Sequence, residues 1–82
     1  MWFVYVLLCE DGSFYTGISN NIEKRFADHK NGMGGYYTRS HKPIELVYSE
    51  KLPTQSDALK REMQIKSWRR AKKIRVLNLA FK

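Results

Sequence analysis

Cysteine, acid and long apolar runs are scarce in this chain, and each scarcity excludes something. A single cysteine, Cys9, stands among 82 residues. One thiol allows neither an internal disulfide nor a cysteine metal cluster, which fits a reducing interior. Cys9 itself reads as a small strand residue. The longest apolar run, Trp2–Cys9, is far too short to cross a bilayer. It carries no basic leader and no small-residue cleavage site, so no secretion signal is expected. The expectation is a cytoplasmic protein with no membrane partner, associated with the nucleoid if bacterial. Also missing are a glycine loop ending in Lys-Ser or Lys-Thr, Cys-x-x-Cys, His-Glu-x-x-His and Gly-x-Ser-x-Gly. There is no repeat, low-complexity tract or interdomain linker.

Acid is scarce relative to base. Eight Asp and Glu face fifteen Lys and Arg, giving +7 and a pI near 9.8. Such an excess attracts polyanions, of which nucleic acid is the commonest for a small basic domain. An anionic membrane surface and charge kept for solubility are the alternatives that charge alone leaves open. With 43% hydrophobic and 28% charged residues, the chain has the composition of a folded domain. Its length suits one domain with one modest core.

Met1–Ser19 organises the rest. Strand-forming residues fill Trp2–Leu8 and Ser13–Ile18 on either side of Glu10-Asp11-Gly12. A type I turn with a left-handed glycine, the G1 bulge, fits that three-residue loop. It pairs Cys9 with Ser13, Leu7 with Tyr15 and Tyr5 with Gly17. One face then receives Trp2, Val4, Val6, Leu8, Phe14, Thr16 and Ile18, nearly all apolar. Tyr5 and Tyr15 share the other face as diagonal neighbours, roughly 7–8 Å apart along the backbone. A two-residue Asp-Gly turn would put the tyrosines on opposite faces and scramble the apolar set.

A short helix follows, with Asn20 and Glu23 as a capping-box-like start, Ile22, Phe26 and Ala27 as its apolar edge and Gly32 as its end. Arg25 and His29, four apart, project from one face. Asn31–Pro43 reads as a loop whose basic residues and tyrosines, Tyr37 and Arg39 among them, suit a phosphate backbone or a stacked base. A plain surface loop is the other reading. Ile44–Glu50 is expected to be a third strand, with Ile44, Leu46 and Tyr48 on one side.

Pro53 and Thr54 start a long helix with Ala58, Leu59, Met63 and Ile65 as its buried stripe. Glu62 falls within that stripe, so it must be desolvated or hold a partner: a metal ion, Arg25 or a neighbouring basic side chain. Ser67–Lys82 breaks direction near Ser67 and adds a second helical segment. There, Arg69, Arg70, Lys72, Lys73 and Arg75 form either a solvated face or a phosphate-contacting surface. The expected fold class is α+β: one domain over residues 1–82, a three-stranded antiparallel sheet flanked by helices.

Tyr5, Tyr15, Arg25, His29 and Glu62 make a coherent set if they converge. One carboxylate with waters holds Mg²⁺ beside a phosphate, a guanidinium pairs with charge on the phosphoryl oxygens, and His29 relays a proton or touches the phosphate. A free tyrosine, with a pKa near 10, is a poor base without help.

Phe3-Val4-Tyr5 and Tyr15-Thr16-Gly17, about ten residues apart between the tyrosines, resemble the paired motif of the GIY-YIG nuclease superfamily. Asn20–His29, Gly32–Arg39, Leu46–Tyr48 and Ala58–Lys73 resemble its small single-domain branch. The resemblance implies a metal-dependent DNA endonuclease, structure-selective or weakly sequence-specific, in repair or recombination. It makes Tyr5 a general base or water-positioning group and Tyr15 a lining residue of the site. Gly17 becomes a position with no room for a side chain, Arg25 the catalytic arginine, His29 its neighbour one turn on, and Glu62 the ligand of one Mg²⁺ or Mn²⁺. Tyr37, Arg39, Lys66 and Arg70 join Gly17 as expected substrate contacts.

Phe3, Val4 and Thr16 depart from the family's motif residues. The asparagine that many members carry after the glutamate has no match in register, Asn78 being the only later one. No separate targeting domain is present, so sequence-specific cutting is not expected from this chain alone. The alternatives are a nucleic-acid-binding module without useful activity and a nuclease subunit that needs a protein partner or a homodimer.

Overall fold

Two strands and a tight turn come first in the computed structural model, which describes residues 1–32 and 40–79. Strand β1 spans Trp2–Cys9 and β2 spans Phe14–Ser19. Gly12 sets the turn between them: its φ of +84° lies where side chains fit poorly. Its N–H donates to the Cys9 carbonyl at 2.9 Å, and the Cys9 N–H donates to the Ser13 carbonyl at 2.9 Å. This is the expected three-residue loop with its bulge. The register follows, with Tyr5 opposite Gly17, Val6 opposite Thr16 and Leu7 opposite Tyr15.

Strand β3, Pro43–Leu52, pairs antiparallel with the other side of β1, so the sheet order is β2-β1-β3. Regular alternation was the expectation for this strand, and two register shifts break it. One, between Val6 and Leu7, lets Val47 and Tyr48 both pack against the core. Ile44, expected on the inner side, is half exposed at the other. Glu10 and Asp11 at the hairpin tip meet the chain entering β3, where His41 lies 3.4 Å from Asp11 and the Glu10 N–H donates to the Lys42 carbonyl.

Helix α1, Ile22–Lys30, starts one residue later than expected. The Ser19 hydroxyl binds both the N–H and the carbonyl of Asn21, and the Asn21 side chain accepts from the Lys24 N–H at 3.1 Å. Asn21 is therefore the cap, and Glu23 falls too early to complete a capping box. Gly32, φ +78°, ends the helix as expected. Its apolar edge is corrected as well: Ala27 is exposed, and His29 is the residue α1 buries.

Helix α2, Gln55–Lys66, is capped by Thr54, whose hydroxyl accepts from the Asp57 N–H at 3.1 Å. Helix α3, Arg70–Val76, ends in Asn78 at φ +53°, with the Leu79 N–H donating to the Ile74 carbonyl. That is a left-handed C-cap closed by a six-to-one bond. The main core joins Val4 and Val6 of the sheet to Ala58, Ile65, Leu77 and Leu79. The opposite face is buried too, at Tyr5, Leu7 and Cys9, and α1 sets His29 against Tyr5 there.

At 100° per residue, Ala58 and Ile65 fall within 20° of each other and define the buried side of α2. Leu59 and Met63 lie round toward solvent, 43% and 69% exposed, so the expected stripe was misphased. Arg61 occupies one shoulder of the helix and reaches Glu50 on β3 at 3.1 Å. Glu62 and Lys66 occupy the other shoulder.

Thr16 sits at 3% exposure among the core residues, and its hydroxyl oxygen finds no hydrogen-bond partner among the described residues. A buried hydroxyl left unpaired is unfavourable by about 1–3 kcal/mol. Thr16→Val is expected to raise stability by about 1 kcal/mol in urea unfolding. A loss of similar size would show that the hydroxyl is satisfied.

Candidate active site

Tyr5 and Gly17 face each other across the hairpin, and the phenol lies flat against the glycine. A Cβ on Gly17 would stand 2.6 Å from the Tyr5 Oη and 3.1 Å from the Tyr15 ring. A real Cβ cannot approach that closely, so glycine is required for space rather than for its backbone angles. The family resemblance implies that close approach of the backbone or a helix takes this space; here the Tyr5 and Tyr15 side chains take it.

Helix α1 closes the far side of that phenol. The Tyr5 Oη lies 2.8 Å from the His29 Nε2. The rings of Tyr5, Tyr15 and His29 form a triangle, with centroids 6.3, 5.9 and 4.9 Å apart and mutual tilts of 43–59°. Such tilted contacts suit aromatic quadrupoles. The Arg25 guanidinium, one turn before His29, acts on the Tyr5 oxygen and favours its ionised form.

Donor chemistry orients the chain of bonds. A guanidinium has only donors, and a phenol has one proton. Arg25 can only face Oη as a donor, and we assign the Tyr5 proton to the contact with the His29 Nε2. Burial, reinforced by the Arg25 charge, holds the His29 imidazole below its ordinary pKa. In that assignment the neutral ring accepts the phenol proton at Nε2. Burial is also the main force on Tyr5, raising its pKa to about 12. Tyr15 and Glu62 push in the same direction, and Arg25 opposes them.

Helix α2 brings the carboxylate. Glu62, 17% exposed at its side chain, acts electrostatically on Tyr5 and pairs with Lys66 at 3.5 Å. Among the described residues, the neighbouring basic side chain Lys66 is its ion-pair partner. The Lys66 ammonium lies 5.9 Å from the Tyr15 ring centroid. An i,i+4 pair with a half-exposed lysine stabilises by only about 0.3–0.5 kcal/mol. Glu62 is thus easily drawn to a stronger partner.

No cluster of three His, Cys, Asp or Glu side chains exists among the described residues. The oxygen chemistry of the single Glu62 carboxylate fits Mg²⁺ or Mn²⁺, which keep most of their waters.

The fold thus gathers Tyr5, Tyr15, Gly17, Arg25, His29, Glu62 and Lys66 at the β1–β2 side of the sheet. Arg70 stands apart from this cluster. Its guanidinium donates to the Gly12 carbonyl and lies 4.6 Å from the Phe14 ring centroid, pinning α3 to the hairpin turn. Tyr37 and Arg39 lie outside the described residues. Asn78 sits at the left-handed position that ends α3.

Lys73 went unnoticed as an individual residue, yet it lies near enough for Lys66 to help depress its pKa, after burial. Seven positions separate the two across a helix break, a spacing that carries no periodic signal. Lys24 was missed too. It borders a shallow hollow at the start of α1 together with Arg25, Ser19, Asn20, Asn21 and Asp28.

Comparison with known proteins places these residues in a family. The GIY-YIG catalytic domain profile matches residues 1–75. A UPF0213 protein of Staphylococcus saprophyticus is 46% identical over 76 residues, 93% of each chain. A UPF0213 protein of Staphylococcus epidermidis is 45% identical over 75 residues, 92% of each. The solution NMR structure of a UPF0213 protein from Bacillus halodurans aligns with a TM-score of 0.60 at 35% identity, covering 95% of this chain and 84% of that one.

Two outcomes follow from the clamp. Gly17→Ala is expected to force the phenol off His29 and lower stability by about 1–3 kcal/mol in urea unfolding; an unchanged midpoint would contradict the close packing. His29 also carries an acid-side penalty. Its folded pKa is depressed, while the unfolded ring titrates near 6.5. Below that value the unfolded state binds the proton more readily, so stability falls with pH; above it the term vanishes. His29→Gln should flatten the fall in unfolding midpoint between pH 7.5 and 5.5. An equally steep fall in both proteins would show that His29 is not the source.

Proposed function

Because this chain belongs to the GIY-YIG family, whose domain points to nuclease activity, we propose that it is a metal-dependent endonuclease hydrolysing DNA phosphodiester bonds. The Arg25–Tyr5–His29 chain beside the Glu62 carboxylate is the observation that carries this reading.

Tyr5 is not the base by itself. With a pKa of about 12, on the order of one molecule in 10⁵ is phenolate at pH 7. His29 and Tyr5 are both buried, at 0% and 2% exposure, and we place His29 behind the phenol it bonds, acting through Tyr5. As water attacks phosphorus, one of its protons passes to the Tyr5 Oη while the Tyr5 proton passes to the His29 Nε2. The bond from phosphorus to the leaving deoxyribose oxygen breaks, and that oxygen takes a proton from solvent. Arg25 offsets charge on the non-bridging oxygens, and Tyr15 holds the Tyr5 and His29 rings in place. Glu62 would hold one Mg²⁺ or Mn²⁺, which supplies Lewis acidity at the phosphate when bound.

The setting we propose is cytoplasmic, on DNA, in repair or recombination. Cleavage there is structure-selective or weakly sequence-specific, within one domain over residues 1–82. One such site breaks one strand, so a double-strand break takes a homodimer, a protein partner or a second nick. The reading as a binding module without cleavage rests on the family's asparagine, which has no match in register; Asn78, the only later one, sits at the end of α3.

A nicking assay on supercoiled plasmid and branched DNA separates the two. With Mg²⁺ or Mn²⁺ the protein is expected to nick DNA, and Glu62→Ala and Tyr5→Phe to reduce the rate by about 100-fold or more. Intact DNA with every metal and substrate, or equal rates for wild type and Glu62→Ala, would overturn the enzymatic reading.

A further inference from the structure

The net charge of this protein is confined to one end of the chain. Residues 1–62 hold all eight carboxylates and eight of the fifteen basic residues, so they are neutral. Residues 63–82 hold the other seven and no acid, which makes them the source of the whole +7.

Within that stretch, α3 gathers Arg69, Arg70, Lys72, Lys73 and Arg75. Arg69, Lys72 and Arg75 are exposed, and none of the three enters an ion pair among the described residues. They recur every third residue, spread over about a third of the helix circumference and a length of roughly 9 Å. The first turn of α3 holds no acid and the cap residue Arg69 makes no capping bond. Cations therefore stand at the positive end of the helix, where the dipole disfavours them. Mutual repulsion adds to that, and no described carboxylate offsets it. The arrangement works against the isolated fold and becomes favourable beside a polyanion.

Its position ties it to the site. Arg70 anchors the start of α3 to the hairpin through the Gly12 carbonyl and the Phe14 ring. Lys66 and the adjacent Lys73 lead from the Tyr15 ring to α3. The one described aromatic of this region, Trp68, already holds cations against its ring, Arg61 at 5.3 Å and Lys72 at 5.0 Å. No open ring is offered for base stacking.

We propose that Arg69, Lys72 and Arg75 form a phosphate ridge that carries the DNA backbone flanking the bond to be cut, without regard to sequence. Naming DNA as the occupant rests on the nuclease reading; the ridge itself rests on charge placement. It extends the substrate footprint of the small domain along α3, beyond the clamp residues.

The test is equilibrium binding of a short labelled DNA duplex across a salt series, without divalent metal. Each lost phosphate contact lowers the log–log salt slope by about 0.9. Arg69→Gln/Lys72→Gln/Arg75→Gln is expected to lower it by about 2.7, and Arg69→Gln/Arg75→Gln, which spares the Trp68 contact, by about 1.8. Lys30→Gln/Lys51→Gln/Lys60→Gln removes equal charge elsewhere and is expected to change the slope much less. Equal losses from the ridge and control triples would overturn the ridge, since net charge alone would then explain binding. Wild-type binding to phosphatidylcholine–phosphatidylserine vesicles in place of the duplex would overturn it as well. If no nicking occurs under any condition and the ridge variants still lose slope, the ridge stands and the cleavage reading falls.

Discussion

The Tyr5 phenol is held on three sides, and the rest of the molecule is arranged to hold it there. Gly17 leaves the space beneath it, His29 in our assignment accepts its proton, and Arg25 faces its oxygen as a donor. Each contact comes from a different part of the chain, so each depends on a separate folding decision. The bulged turn at Gly12 places Gly17 opposite Tyr5 rather than one residue away. The Asn21 cap phases α1 so that Arg25 and His29 descend onto that phenol together. A one-residue slip in either element would move the partner to the wrong face. Burial is what makes the arrangement chemically useful: it keeps the imidazole unprotonated and the phenol protonated, the state in which a proton can move from one to the other.

Helix α2 divides its surface by function. Its buried side, Ala58 and Ile65, supplies the core. One shoulder is structural: Arg61 bridges Glu50 and Gln64 and lies against Trp68, with Tyr48 donating to the same Glu50 oxygen at 2.6 Å. The other shoulder, Glu62 and Lys66, faces the tyrosines. The sheet order explains the split, because β3 and β2 lie on opposite sides of β1. Strength follows the same division. Arg61 and Glu50 are both about three-quarters buried and share further bonds, whereas Glu62 pairs with a half-exposed Lys66.

The hairpin was legible because alternation, turn length and one glycine all pointed to the same register. That register alone put Tyr5, Tyr15 and Gly17 together. The four-residue spacing placed Arg25 beside His29, and the family resemblance assigned Glu62. Tertiary facts were harder to read. Leu59 and Met63 are as apolar as core residues, and only the packing of Ala58 and Ile65 reveals the true phase of α2. Ala27 is a good helix former that faces water, while His29, a polar residue, is buried because Tyr5 satisfies it. The bulges of β3 answer to β1 and leave no local signature. Asn78 had no place in the family's register, and its positive φ puts it at the end of α3.

The proposed chemistry depends on where one proton resides. The ¹⁵N chemical shifts of His29, followed by NMR through a pH titration in wild type and Tyr5→Phe, read that directly. The predicted result is a neutral ring at pH 7 with Nδ1 protonated and Nε2 unprotonated, its Nε2 shift altered when the phenol oxygen is removed. An imidazolium at pH 7, or a neutral ring protonated on Nε2 and indifferent to the loss of the phenol, would contradict it.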